Sequence, residues 1–133
     1  MSVGLFLITH QDVGRVLLNA TVGMLCAQPL PTALLDVTTD KDPDSLLDRA
    51  HQLAREVDQG DGLLVLTDLF GSTPSNIAWA LQRDHHAIVL AGVNLPMLLR
   101  VMNYPHLSLT ELAEKALSGG HDGVLMCKEL RNG

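Results

Sequence analysis

The feature that most constrains the fold is a set of short, continuously apolar runs, the first at residues 3–8 and ending at Thr9 and His10. This run mixes aliphatic, β-branched and aromatic residues without alternation, which is typical of a strand covered on both faces. Further runs of this kind lie at residues 32–37, 62–67, 87–91 and 123–127. The chain is predicted to fold as an open three-layer α/β/α sandwich with a mainly parallel sheet and right-handed crossovers.

Helical periodicity predicts helices between these strands, at residues 12–27, 43–57, 74–83, 97–103 and 108–117. Asp12 is placed to cap the first helix. Ser108 and Glu111 have the spacing of a capping box at the start of the last helix. Gly119 and Gly120 are expected to end that helix.

Length and composition limit the class of protein. A chain of 133 residues is predicted to form a single domain, 1–133, and a domain of this size buries about two-thirds of its unfolded surface without needing a disulfide or a metal. The net charge of −6 and the lack of a basic run argue against a nucleic-acid partner. The sequence has no leader and no apolar segment of the ~20 residues that a membrane span needs, so a cytoplasmic location is expected. Cys26 and Cys127 lie far apart and are interpreted as small apolar fillers in a reducing compartment.

Polar residues follow three of the predicted strands: His10 the first, Asp68 the third and Asn94 the fourth. Because the carboxyl ends of parallel strands meet at one edge of a sheet, His10 and Asp68 are expected to lie close together. A carboxylate that accepts one ring N–H fixes the imidazole tautomer and turns the lone pair of the other nitrogen outward. The sequence therefore predicts a nucleophilic histidine at position 10.

The loop after Asp68 is suited to a small tetrahedral anion, since Gly71 frees the backbone while Ser72 and Thr73 offer hydroxyl groups. It lacks the G-x-S-x-G elbow of serine hydrolases, and the chain has no glycine-rich nucleotide loop. The remaining histidines have no partner at metal-ligand spacing, so they are interpreted as solvated structural residues and no metal site is predicted. These histidines are His51, His85, His86, His106 and His121.

Three stretches, in this order, resemble the mannose family of EIIA components of the bacterial phosphoenolpyruvate-dependent sugar phosphotransferase system (PTS). They are the first strand with Thr9 and His10, the loop at residues 67–76, and the segment at residues 91–98. The resemblance extends over nearly the whole chain.

The resemblance implies that His10 accepts a phosphoryl group from the carrier protein HPr and passes it to an EIIB component. Asp68 would orient His10. Thr73 stands where the family usually has a serine, and Ser72 where a second glycine is common. The implied activity is that of a protein-to-protein phosphotransferase with a phosphohistidine intermediate. N–H and O–H donors can stabilise such a transfer, so no cofactor is predicted.

The resemblance also implies a homodimer that exchanges a C-terminal strand, here residues 123–127, although the sequence equally allows that strand to pair within its own chain. No linker or EIIB domain follows, so the acceptor is expected to be a separate protein, with membrane contact only indirectly through EIIC and EIID. The sequence does not indicate the sugar. Three other functions remain open for His10: a regulatory phosphoprotein of an incomplete PTS, the phosphoryl donor component of a dihydroxyacetone kinase, and a small-anion binding module that is never phosphorylated.

Overall fold

The computed structural model of the protein describes residues 2–128, which form a three-layer α/β/α sandwich as predicted. The strands in the described range are β1 (Gly4–His10), β2 (Thr32–Val37), β3 (Leu63–Thr67) and β4 (Ala87–Ala91). The helices are α1 (Val13–Leu25), α2 (Pro43–Val57), α3 (Thr73–Asp84), α4 (Leu95–Met102) and α5 (Leu109–Asp122). None of these helices has both the length and the apolar character needed to cross a membrane.

The strands lie in the order β2-β1-β3-β4, and all neighbouring strands are parallel. The chain passes from β1 outward to β2 and then returns past β1 to β3, so the direction of winding reverses between β1 and β3. Open α/β sheets form a crevice at this point, beyond the carboxyl ends of the strands. His10 is the last residue of β1, and Asp68 directly follows β3.

The central strand β1 is buried on both faces, as its unbroken apolar sequence predicts. Leu5 and Leu7 belong to a core formed with α1, α4 and α5, whereas Phe6 and Ile8 belong to a second core formed with α2 and α3. None of these four side chains is more than 1% exposed. Burying each one contributes about 1.5–3 kcal/mol, so the position of β1 in the middle of the sheet is firmly specified.

Helix starts follow the predicted local chemistry in most places. Asp42 caps α2, its side chain accepting the backbone N–H of Ser45 at 3.2 Å. The capping box of α5 is formed, with Ser108 and Glu111 each accepting the other's backbone N–H at 3.3 Å. Asp12 occupies the cap position of α1, but its side chain accepts no hydrogen bond from that helix. The position of the cap was predicted correctly, but the hydrogen bond expected from the Asp12 side chain is absent.

The prediction that Gly119 and Gly120 end the last helix is wrong, because α5 continues through both to Asp122. A Cβ at Gly119 would lie 2.7 Å from Cβ of Arg100, and one at Gly120 would lie 2.7 Å from Cε of Met97. Both of those neighbours belong to α4. The two glycines therefore allow α5 to approach α4 closely.

The predicted fifth strand at residues 123–127 does not form within this chain. Gly123 caps α5, and residues 124–128 follow it without regular structure or pairing to the sheet. Val124, Leu125 and Met126 are 77%, 69% and 86% exposed. Their apolar sequence predicts a strand, but no sheet edge of the same chain receives it.

The interpretation of the two cysteines as apolar fillers is also wrong, since Cys26 and Cys127 are both exposed. Cys26 instead ends α1, in a left-handed backbone conformation with φ of 53°.

Candidate functional site

His10 and Asp68 form a close pair at the carboxyl edge of the sheet. His10 Nδ1 lies 3.0 Å from Asp68 Oδ2 and 3.1 Å from Asp68 Oδ1. The backbone N–H of His10 also donates to Asp68 Oδ2, at 3.0 Å. Because a carboxylate can only accept hydrogen bonds, Nδ1 must carry a proton in this arrangement, and in the neutral ring Nε2 then has a free lone pair. The predicted contact between these two residues is therefore present.

The fold explains both the contact and the access to the ring. β1 and β3 are adjacent, and Ile8 is in register with Thr67, so the residues that follow at the edge converge. Gln11 then turns the chain away from the sheet with φ of 41°. The His10 side chain is 44% exposed while that of Asp68 is 15% exposed. An accessible imidazole is thus held by a largely buried acid, which suits reaction with a group brought from outside.

The imidazole of His10 borders a cavity of about 320 Å³. Thr73, the first residue of α3, lines the same cavity. The lining also includes Thr38, Thr39 and Lys41 from the loop between β2 and α2. The cavity is therefore bordered by an imidazole, by threonines and by one cationic residue.

Gly71 and Ser72, expected beside Thr73 in the anion site, do not line the cavity of His10. Ser72 is the N-cap of α3: its hydroxyl donates to the carbonyl of Leu69 at 2.6 Å and accepts the backbone N–H of Ser75 at 3.4 Å. Gly71, with φ of 82°, makes the preceding turn and borders a separate hollow. These two residues build the turn that starts α3 and presents Thr73.

Three residues of the cavity, Thr38, Thr39 and Lys41, were missed by the sequence reasoning. They lie between the predicted strand at residues 32–37 and the predicted helix at residues 43–57, and their sequence contains no motif. The available signal was their position directly after β2, because the carboxyl end of any strand beside β1 must open onto the same edge as His10. Thr38 Oγ1 is buried and has no hydrogen-bond partner.

Asn94, the polar residue after β4, has a structural position. Its side-chain carbonyl accepts the backbone N–H of Met97 at 2.9 Å and so caps α4. Its amide group donates to the carbonyl of Gly120 in α5 at 3.1 Å. Asn94 thus joins α4 to α5.

Two of the remaining histidines are less isolated than the sequence suggested. His51 Nδ1 lies 3.0 Å from His85 Nε2, the rings are stacked, and His51 Nε2 lies 3.7 Å from the Asp84 carboxylate. Burial lowers the pKa of His85, and the charges of His51 and Arg55 lower it further. Within residues 2–128 there is no cluster of three or more side chains suited to a metal ion.

Similar proteins share this architecture. The mannose/sorbose-specific IIA subunit of the phosphotransferase system from Enterococcus faecalis superposes with a TM-score of 0.87 at 24% identity over 100% of both chains. The PTS component EIIA from Streptococcus agalactiae superposes with a TM-score of 0.79 at 24% identity, over 93% of this chain and 96% of that one. These likenesses show the fold.

Comparison of sequences identifies relatives in the same transport system. The mannose-specific EIIAB component of Escherichia coli K12 is 28% identical over 131 residues, which are 96% of this chain and 40% of that protein, so the chain spans less than half of this relative. The fructose-specific EIIA component of Bacillus subtilis is 32% identical over 87 residues, covering 64% of this chain and 60% of that protein. The family described as "EIIA-man: PTS system fructose IIA component" matches residues 4–117. The chain therefore belongs to the mannose-type EIIA family of the sugar phosphotransferase system.

Proposed function

We propose that the protein is a phosphohistidine carrier of the PTS relay, which accepts a phosphoryl group from HPr on His10 and passes it to an EIIB component for sugar uptake. Membership in an EIIA family implies a part in such a relay. The observation that carries the proposal is the contact between the exposed His10 ring and the Asp68 carboxylate at 3.0 Å. It leaves the Nε2 lone pair directed away from the carboxylate.

In the proposed transfer, the Nε2 lone pair of His10 forms a bond to phosphorus while the phosphorus–nitrogen bond to the donor histidine breaks. The electron pair of the broken bond stays on the donor nitrogen, and the three phosphoryl oxygens move with phosphorus. The Nδ1 proton of His10 stays hydrogen-bonded to Asp68, which stabilises the positive charge that develops on the ring. Transfer to an EIIB histidine repeats these steps in the opposite direction.

The amino end of α3 supplies donors for the phosphoryl oxygens. Thr73 contributes its hydroxyl group and its backbone N–H, which as the first of the helix lies outside the intrahelical ladder. The positive end of the helix dipole favours a negative group at the same place. In this proposal Gly71 and Ser72 belong to the phosphoryl-binding loop because they form the turn that fixes Thr73.

The carrier is also proposed to act as a homodimer that exchanges residues 123–127. Among the described residues, β4 pairs only with β3, so its other edge is open. Phe70 and Trp79 lie beside it around an apolar hollow of about 360 Å³. Leu125, in the exposed apolar segment after α5, would pair there in a second copy.

Sedimentation of the full chain tests this exchange and should give a dimer. Leu125→Lys should weaken the dimer, whereas Met24→Lys, at an exposed position on α1, should not. A monomeric full chain would contradict the exchange.

The central test is phosphorylation of the full chain by phosphoenolpyruvate, Enzyme I and HPr, followed by intact mass. One phosphoryl group should be added, and it should be acid-labile and stable in base. His10→Ala should abolish it. His121→Ala is a matched control, since His121 is 89% exposed and its Nδ1 lies 4.0 Å from the Asp122 carboxylate. A label retained in His10→Ala would disprove the assignment of His10.

A second step tests the direction of the relay. Purified phosphorylated protein mixed with an EIIB component of the mannose family should lose its phosphoryl group to that component. Retention of the label with every EIIB protein encoded in the same genome would favour the regulatory role over transport.

A further inference from the structure

The cavity beside His10 is also lined by the loop between β2 and α2 and by the start of α2. Lys41 and Thr38 come from the loop between β2 and α2, and Pro43 and Leu46 from the first turns of α2. The amino ends of two helices, α2 and α3, therefore border one cavity that also holds the His10 ring. Each helix end contributes a partial positive charge.

Lys41 occupies a defined place in this lining. Its backbone N–H donates to the carbonyl of Thr38 at 3.4 Å, and the next residue, Asp42, caps α2. The base of the lysine side chain is thus held by a turn and by a helix start, while its flexible stem can move the ammonium group within the cavity.

Charge makes this position significant. Among the described residues that line the cavity, Lys41 is the only one with a permanent charge. Another cation of this edge, Arg15, is paired with Asp36 at 3.0 Å. A phosphoryl group on His10 would add about two negative charges to a chain of net charge −6 and would stand near Asp68. A mobile cation beside the cavity offsets that repulsion.

Thr38 belongs to the same loop, and its hydroxyl is enclosed, closed off from a group in the cavity. The hydroxyl lowers the pKa of the neighbouring Asp40 carboxyl, and the charge of Lys41 lowers it further. Lys41 is therefore the side chain of this loop that can supply positive charge to the cavity.

We propose that Lys41 binds the phosphoryl oxygens on His10 from the loop between β2 and α2 and so stabilises the phosphorylated form of the protein. This inference rests on the proposed function of His10. It assigns the loop between β2 and α2 a direct part in phosphoryl binding and makes Lys41 a residue that sets the balance between loaded and unloaded carrier.

The test compares Lys41→Gln and Lys41→Arg with Lys115→Gln, a matched loss of charge on α5, where Lys115 stands over the Tyr104 ring. The first measurement is the equilibrium between phosphorylated HPr and each variant. Lys41→Gln should shift it toward HPr by about two- to fivefold, and the shift should shrink at high ionic strength because the charges are then screened. Lys41→Arg should largely restore the wild-type value, and Lys115→Gln should match it.

The second measurement is the pH titration of the ³¹P resonance of the phosphorylated proteins, which a merely structural role of Lys41 would not move. A nearby cation favours the dianionic phosphoryl group, so Lys41→Gln should raise the midpoint by about 0.5 to 1 pH unit. An unchanged equilibrium and an unchanged midpoint in Lys41→Gln would overturn this inference and leave the function of His10 intact. A wild-type protein that takes no label would overturn the proposed function and the inference with it.

Discussion

Replacing Asp68 by asparagine tests how the site activates His10. In the wild type, Asp68 Oδ2 accepts both the backbone N–H and the ring of His10 at 3.0 Å, and Oδ1 lies 3.1 Å from the same ring nitrogen. An asparagine has one acceptor in place of two. If its carbonyl takes the Oδ2 position, it still lies 3.0 Å from the protonated Nδ1 and can accept from it, but the NH₂ group then lies about 3.1 Å from the same nitrogen, donor against donor.

The ring has two ways to relieve this conflict. It can move its proton to Nε2, so that Nδ1 accepts from the amide and the reacting nitrogen loses its lone pair, or it can rotate away from its aimed position. In both cases the negative charge that stabilises the developing imidazolium is gone. We therefore expect the rate of phosphoryl transfer from HPr to fall by roughly 10²–10⁴, which corresponds to about 2.7–5.5 kcal/mol in the activation free energy.

The assay is a rapid-quench measurement of single-turnover loading of the Asp68→Asn protein from phosphorylated HPr. Urea unfolding of the same sample should show a loss of less than about 2 kcal/mol, since one hydrogen-bonded acceptor is retained. Asp36→Asn is the matched control. Asp36 lies on β2 and, like Asp68, is a partly buried acid, but it is paired with Arg15 instead of with the histidine. A loading rate for Asp68→Asn close to that of the wild type would refute this account of activation.

Four further predictions concern stability and are measured by urea unfolding. Ser108→Ala removes the capping box of α5 and should lower the free energy of unfolding by about 1 kcal/mol. Gly4→Ala places a Cβ 2.6 Å from a backbone oxygen at the end of α2 and should cost about 1–3 kcal/mol, while Gly23→Ala, with open space around it, should stabilise by about 0.5–1 kcal/mol. Burial, followed by the charge of His51, lowers the pKa of His85, so the folded state binds fewer protons there than the unfolded chain. The contribution of His85 to the free energy of unfolding is complete above the ordinary pKa of about 6.5 and is lost as the pH falls through the lower pKa of the folded state. His85→Gln should therefore reduce the loss of stability between neutral and mildly acidic pH. An unchanged pH profile would contradict this.

The sequence predicts most of the fold because its signals are local. The boundaries of β2, α2 and β4 match the predicted ranges 32–37, 43–57 and 87–91, since each apolar run or amphipathic stretch is bounded by residues that cap or break it. The contact between His10 and Asp68 was predictable as well, because it follows from adjacency of the first and third strands at one edge.

The errors arise where a distant part of the chain decides the outcome. Gly119 and Gly120 favour a helix end by propensity, but α4 packs so closely that only glycine fits, and the helix continues. Residues 123–127 have the composition of a strand but pair with no strand of their own chain, because the end of α5 does not lead them to an edge of the sheet. Cys26 was assigned to the interior by residue type alone, whereas it ends a helix at the surface.

The sequence did not identify Thr38 and Lys41 as cavity residues, and it predicted too early an end for α5, because both depend on a distant part of the chain. The strand order explains the position of Thr38 and Lys41. A polar loop between a strand and a helix is uninformative until the neighbour of that strand is known. Because β1 lies inside the sheet, its terminal His10 has a strand on each side. β3 leads to the Asp68 carboxylate beside the ring, and β2 leads into the loop that places Lys41 in the lining of the same cavity. With β1 at an edge of the sheet, one of these two neighbours would be lost, so the proposed activation of His10 and the proposed binding of its phosphoryl group both require this strand to lie inside the sheet.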